Sequence, residues 1–158
     1  MDIYLPDLKY LEAAAAKRYS KAEDYPRVVV RAICEMYRQV GDYQMDVNGM
    51  LKKGLVVRHL VLPDNLENTK KVIDWFDAFA EDKNVLFSLM SQFTPATDLS
   101  GFPEVNRCLR EEEYQKMVSY LSQKEHVEGF IQELSSAQEK YIPSFKLQGL
   151  EGLGRRRF

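Results

Sequence analysis

A chain of 158 residues with 22 Lys plus Arg against 24 Asp plus Glu carries a formal charge of −2, which excludes a strongly basic nucleic-acid binder. Hydrophobic residues at 45% and charged residues at 29% fit one globular domain with its own core, not a disordered chain. No apolar run reaches the roughly 18 residues of a membrane span, and the opening has neither the basic region nor the cleavage site of a signal peptide, so no membrane partner and a cytoplasmic location are expected.

In chain order, Asp2 to Pro6 is a short β-type run that begins with no turn or cap before it, and Leu11 to Tyr19 is an Ala-rich helical stretch. Asp24 is placed to cap a second helix, with Pro26 in the tolerant first turn and Gly41 as its C-cap. Val29, Ile33, Met36, Tyr37 and Val40 give that helix one apolar face. Tyr43 to Val47 alternates and meets Asn48-Gly49, a hairpin signal of the type I′ turn. Gly54 then opens the nearly continuous apolar run Leu55 to Leu62, the pattern of a strand covered on both faces of a parallel sheet.

Leu66 to Ala80 is an amphipathic helix with Leu66, Val72, Ile73, Phe76 and Phe79 inward. A further strand over Val85 to Met90 runs into a loop rich in Thr, Asp, Ser, Gly and Pro, the place where α/β folds keep their sites. Glu111 to Gln123 is helical, its first-turn glutamates solvated and favoured by the helix dipole, and Val127 to Leu134 is the next strand. Residues 148–158 read as a flexible Gly/Arg tail. The pattern is α/β: about four mainly parallel strands with covering helices and a small hairpin excursion, either part of a (β/α) barrel or a compact open sheet.

Cys34 and Cys108 stand alone, with no metal-ligand spacing, and read as buried thiols. Polar residues at strand ends are the chemical candidates, since burial there is costly without a partner. Asp7 and Lys9 lie on one side of the first strand's exit, as a site or as an ion pair closing the strand mouth. Arg58 and His59 are adjacent within an apolar strand and must face opposite ways; Arg58 needs a carboxylate or phosphate partner, whereas His59 reads as a core histidine or a ligand. Gln92 and Glu133 end the next two strands. No nucleophile triad and no Gly-rich phosphate loop accompanies them.

Several stretches carry a resemblance: Asp2-Ile-Tyr-Leu-Pro-Asp-Leu-Lys-Tyr, Glu35-Met-Tyr-Arg-Gln-Val-Gly, Gly54-Leu-Val-Val-Arg-His-Leu-Val-Leu-Pro, Leu89-Met-Ser-Gln-Phe-Thr-Pro and Gly129-Phe-Ile-Gln-Glu-Leu-Ser-Ser-Ala. Residues 2–147 resemble the carboxyl-terminal part of radical S-adenosylmethionine proteins related to the pyruvate formate-lyase activating enzyme. The resemblance implies a partial (β/α)6 barrel that binds S-adenosylmethionine beside a four-iron, four-sulfur cluster and abstracts hydrogen from a substrate, in activases a glycine of a partner enzyme. It places Asp7, Lys9, Arg58 and Gln92 near the cofactor and leaves His59 and Glu133 as substrate-side candidates. Two departures stand out. Asp64-Asn65 follows Leu62-Pro63 where the family usually has Gly, and the three cysteines that hold the cluster are absent. The expectation is therefore a portion of such an enzyme, 1–147 plus the tail, with no cluster and no activity alone. One rival is a non-catalytic half-barrel that completes its sheet with a partner chain, or with another copy through the edge at Ile3 to Leu5. Another is a small α/β enzyme using Asp7, Lys9 and Arg58 by themselves.

Overall fold

The structure is a computed structural model, and it describes residues 2–95, 97–134 and 139–142. Along the chain run β1 (Ile3–Tyr4), α1 (Ala13–Ser20), α2 (Tyr25–Val40), β2 (Gln44–Met45), β3 (Leu51–Leu60), α3 (Leu66–Phe79), β4 (Leu86–Met90), α4 (Glu111–Ser122), β5 (Gly129–Gln132) and β6 (Glu139–Ile142). One sheet has the order β1-β3-β4-β5-β6, with β2 paired to β3. The links β1 to β3, β3 to β4 and β4 to β5 are parallel, while β2 and β6 pair antiparallel. The α/β class and the mostly parallel sheet are thus as the alternation implies. No helix among the described residues is long and apolar enough to cross a membrane.

Residues of alternate parity on the strands meet different surroundings. Leu55, Val57 and Val61 from β3 and its exit, Phe87 and Leu89 from β4, and Ile131 from β5 share one core with α2, α3 and α4. Val56, Arg58 and Leu60 point the other way, in register with Leu86, Ser88 and Met90; none of these joins the cluster with α2, α3 and α4, although Val56, Leu86 and Ser88 are buried and Leu62, further along the same parity, packs with Ala15 and Ala16 of α1. The central strands are therefore buried on both faces, as the apolar β3 run implies, with α2, α3 and α4 packed on one of them.

Several local expectations are corrected. Asp24 precedes α2 but makes no side-chain cap, because its own backbone is helical (φ −86°, ψ −3°). The hairpin forms without a type I′ turn: only Gly49 has positive φ (+76°), and Asn48 does not. Asp46 accepts the Gly49 N–H at its carbonyl and the Asn48 and Met50 N–H groups at its carboxylate, so the connection is a type I turn closed by a left-handed glycine. Both cysteines are exposed rather than buried, Cys34 lying on the polar side of α2 and Cys108 ahead of α4. The acidic start of α4 is not simply solvated, since Glu113 folds back onto Arg107 and the Arg110 N–H. Strand β6 carries no periodic signal in the sequence and emerges only from its antiparallel pairing with β5. The tail at 148–158 lies outside the described residues.

Candidate functional site

The carboxyl ends of β1 and β3 define the site. The Arg58 N–H donates to the Pro6 carbonyl and the Leu8 N–H to the Arg58 carbonyl, so the parallel ladder continues past β1 and brings Asp7 opposite Arg58. On the face opposite α2, α3 and α4, register then aligns Asp7, Arg58, Ser88, Phe130 and Tyr141 in one row across the sheet. Arg58 Nη2 lies 2.8 Å from Asp7 Oδ1, both side chains half-buried. That is a single contact, not a fork, and Arg58 Nε is buried with no hydrogen-bond partner. The guanidinium therefore keeps donors that an incoming anion would satisfy.

The loop from Asp7 to Glu12 is clamped from three sides. The Tyr25 hydroxyl donates to the Asp7 carbonyl (2.9 Å) and accepts the Lys9 N–H (3.0 Å). Asn68 on α3 accepts the Leu11 and Glu12 N–H groups at Oδ1 and donates from Nδ2 to the Lys9 carbonyl. His59 holds the Leu8 carbonyl at 2.7 Å through Nδ1, and its Nε2 meets the Thr69 hydroxyl at 2.9 Å. The carbonyl fixes the tautomer: Nδ1 carries the proton and Nε2 accepts from Thr69. Complete burial pushes the His59 pKa down to about 4, so the ring is neutral and can play this role. Backbone clamps of this kind hold a functional loop in place before any ligand arrives.

Asp7, Lys9 and Arg58 line one cavity of about 240 Å³, whose other walls are Leu8, Tyr10, Leu60, Leu62, Met90 and Phe93. The structure brings those three sequence candidates together and leaves the other three apart. His59 points into the core beneath α3, while Gln92 and Glu133 are exposed and do not line the cavity. The side-chain amide contact at the end of β5 belongs to Gln132, whose Oε1 accepts the Ser91 N–H. Asn68, Thr69 and Tyr25 as supports, and Phe93 as a wall of the cavity, escape the sequence reading. A signal existed for Asn68: it is a polar residue on the inward stripe of α3, between Leu66 and Val72.

A wider groove of about 410 Å³ runs between the N-termini of α3 and α4, lined by Asp64, Glu67, Glu112, Glu113, Arg110 and Lys116 among others. Its central charges are already paired: Arg107 bridges Asp64 at 3.0 Å and Glu113 at 2.7 Å, and this contact holds the Glu113 carboxyl at about 2. The smaller cavity, with an incompletely partnered arginine and apolar walls, is the better candidate for a ligand.

No protein-family profile and no solved structure matches the chain. Among curated proteins, an uncharacterized protein of Methanocaldococcus jannaschii is 28% identical over 119 residues, which take in 73% of this chain. The chain spans only 30% of that relative's length.

Proposed function

We propose that this chain is the carboxyl-terminal portion of a radical S-adenosylmethionine enzyme resembling the pyruvate formate-lyase activating enzyme, and that its sheet is an arc of a (β/α) barrel. The observation that carries the reading is the row Asp7, Arg58, Ser88 and Phe130 on the sheet face opposite α2, α3 and α4, with a cavity at the carboxyl ends of the strands. A barrel keeps helices outside and its site at that end. Asp64 adds support. It stands where the family usually has Gly, and its φ of +53° is the left-handed backbone that glycine favours and Asp tolerates.

The donor set fits S-adenosylmethionine. Arg58, with its unpartnered Nε, would receive the carboxylate; Asp7 beside it would face a positive or hydroxyl group; Lys9 adds a second cation. When bound beside a reduced four-iron, four-sulfur cluster, this cofactor supplies a radical that abstracts hydrogen from a substrate, in activases from a glycine of a protein partner. Leu60, Leu62, Met90 and Phe93 give the cavity apolar walls that exclude water around the bound group. The cluster does not fit this chain. Three thiolates are needed, only Cys34 and Cys108 exist, and the described residues contain no group of three potential ligands.

Titration calorimetry tests the cofactor reading. S-adenosylmethionine is expected to bind the chain, and Arg58→Ala to weaken it at least about tenfold, the worth of a hydrogen bond to a charged group. Absence of binding at millimolar cofactor, or equal binding by the variant, rejects the reading. Anaerobic incubation with iron and sulfide is expected to leave the protein without stoichiometric cluster, and a broad visible absorption at full occupancy would overturn that expectation.

The interaction-module reading draws on one observation: among the described residues β1 ends the strand order, paired to β3 on one side only, with Leu5 exposed next to it. An unpaired edge invites another strand. Light scattering is then expected to show association that grows with concentration, and a monomer throughout the accessible range removes this reading.

A further inference from the structure

Beyond the charged cavity lies a second one of about 170 Å³, formed by Tyr10, Tyr19, Leu62, Phe93, Leu99, Phe102 and Val105. It shares Tyr10, Leu62 and Phe93 with the cavity that holds Asp7, Lys9 and Arg58. Four of its walls are aromatic rings, and the polar atoms nearby are committed to each other. The Tyr19 hydroxyl donates to Glu104 at 2.9 Å, and the Ser20 hydroxyl meets that of Tyr10 at 3.3 Å.

The outer wall is fixed in place. Phe102 and Leu99 belong to the long loop after β4, which α1 ties down through Arg18: its Nε donates to Glu104 at 2.5 Å and its guanidinium lies 5.1 Å from the Phe102 ring centre. Phe102 in turn sits 5.9 Å from Tyr19, and Tyr10 sits 6.1 Å from Tyr19, spacings at which aromatic rings attract one another. A dry apolar cavity of about 150 Å³ holds a benzene molecule. This one therefore has the volume for a single six-membered ring, with ring faces and edges around it and cations next door.

We propose that the two cavities form one amphipathic site for a small aromatic acid, its ring flanked by Tyr10, Tyr19, Phe93 and Phe102 and its carboxylate directed toward Lys9, with Arg58 left to the cofactor's carboxylate. The proposal deepens the barrel reading by naming a substrate class for the same mouth, and rests on it for the word substrate. Binding of the acid itself requires no cofactor. Charge selects the anionic end, through Lys9, and shape selects the flat end.

Titration of the 158-residue chain with 3-phenylpropionate, followed by ligand-observed NMR, tests it, with propionate as the ringless control. The expected result is saturable binding of 3-phenylpropionate, at least tenfold weaker binding of propionate, and at least a tenfold loss for Phe102→Ala. Leu99→Trp fills the ring cavity while keeping a large apolar side chain, and is expected to abolish ring binding with the urea midpoint retained. Equal affinity for the two acids, or unchanged 3-phenylpropionate binding in both variants, overturns the proposal, as does absence of binding at millimolar ligand. S-adenosylmethionine is titrated separately: a chain that binds the aromatic acid but not the cofactor defeats the cofactor reading and leaves the ring site standing, whereas the reverse pattern defeats the ring site alone.

Discussion

Replacing Gly129 with alanine is expected to abolish folding. Gly129 opens β5 at φ +155° and is registered against Phe87 of β4. A Cβ there would fall 1.8 Å from the Phe87 carbonyl oxygen and 2.6 Å from the Phe87 nitrogen. Those atoms are backbone within a parallel ladder, where Phe87 N–H also donates to the Glu128 carbonyl at 2.8 Å, so no rotamer change relieves the contact. The strand must separate or shift, and either movement disturbs the core residues Phe87, Leu89 and Ile131 together. A loss of at least about 4 kcal/mol is expected, comparable with the whole stability of many domains. Gly101→Ala is the control, since nothing lies within 4 Å of its added carbon, and a change within about 0.5 kcal/mol is expected there. Urea denaturation of both variants checks this, and a Gly129→Ala protein with the wild-type midpoint would refute the packing described.

Acid is expected to destabilise the fold well before its carboxylates titrate, because of His59. Its folded pKa is depressed from 6.5 to about 4 by burial. Between those values the unfolded chain takes up a proton that the folded chain refuses, so stability is full above the unfolded pKa and falls as pH drops toward the folded one. A shift of this size corresponds to about 3 kcal/mol across the window. Glu35, Glu104 and Glu113, each held at about 2 by hydrogen bonds from Arg38, Arg18 and Arg107 respectively, act lower, below their ordinary value of 4.5. The decline from pH 6.5 to 4.5 should therefore vanish in His59→Gln. Urea midpoints at half-unit pH steps decide the matter, and a variant that retains the wild-type slope would move the effect away from His59.

The elements whose period is long and regular are legible in the sequence. Leu66 to Phe79 and Glu111 to Ser122 appear where their apolar spacing puts them, and the opposite facing of Arg58 and His59 follows from the two-residue repeat of a strand. What the sequence conceals are contacts made across the chain. Asn68 and Tyr25 support a loop 59 and 16 positions distant, and helical periodicity has nothing to say about carbonyls that need a donor. Glu128 carries only a strand signal in the sequence, whereas in the fold it is buried and its carboxylate accepts from the hydroxyls of Tyr43 and Tyr141, two residues with no common local signal. The cysteine expectation failed because composition averages take no account of which side of α2 position 34 occupies. A place at a strand end singles out Gln92 in the sequence, but Met90 and Phe93 are the residues that line the cavity.

The dipeptide Arg58-His59 acts as an alignment pin for the central strand. Each side chain is matched to its own side of the sheet: Arg58 reaches Asp7 at the charged mouth, and His59 bonds Leu8 and Thr69 beneath α3. Sliding β3 by one position would exchange them, driving a permanent cation into the core and turning the neutral ring toward water. Neighbouring valines and leucines would tolerate such an exchange with little penalty, since Val56 and Val57 are both buried and interchangeable in shape. Two adjacent polar residues thus encode a registration that the apolar run around them leaves ambiguous, and the same register sets the charged mouth in place.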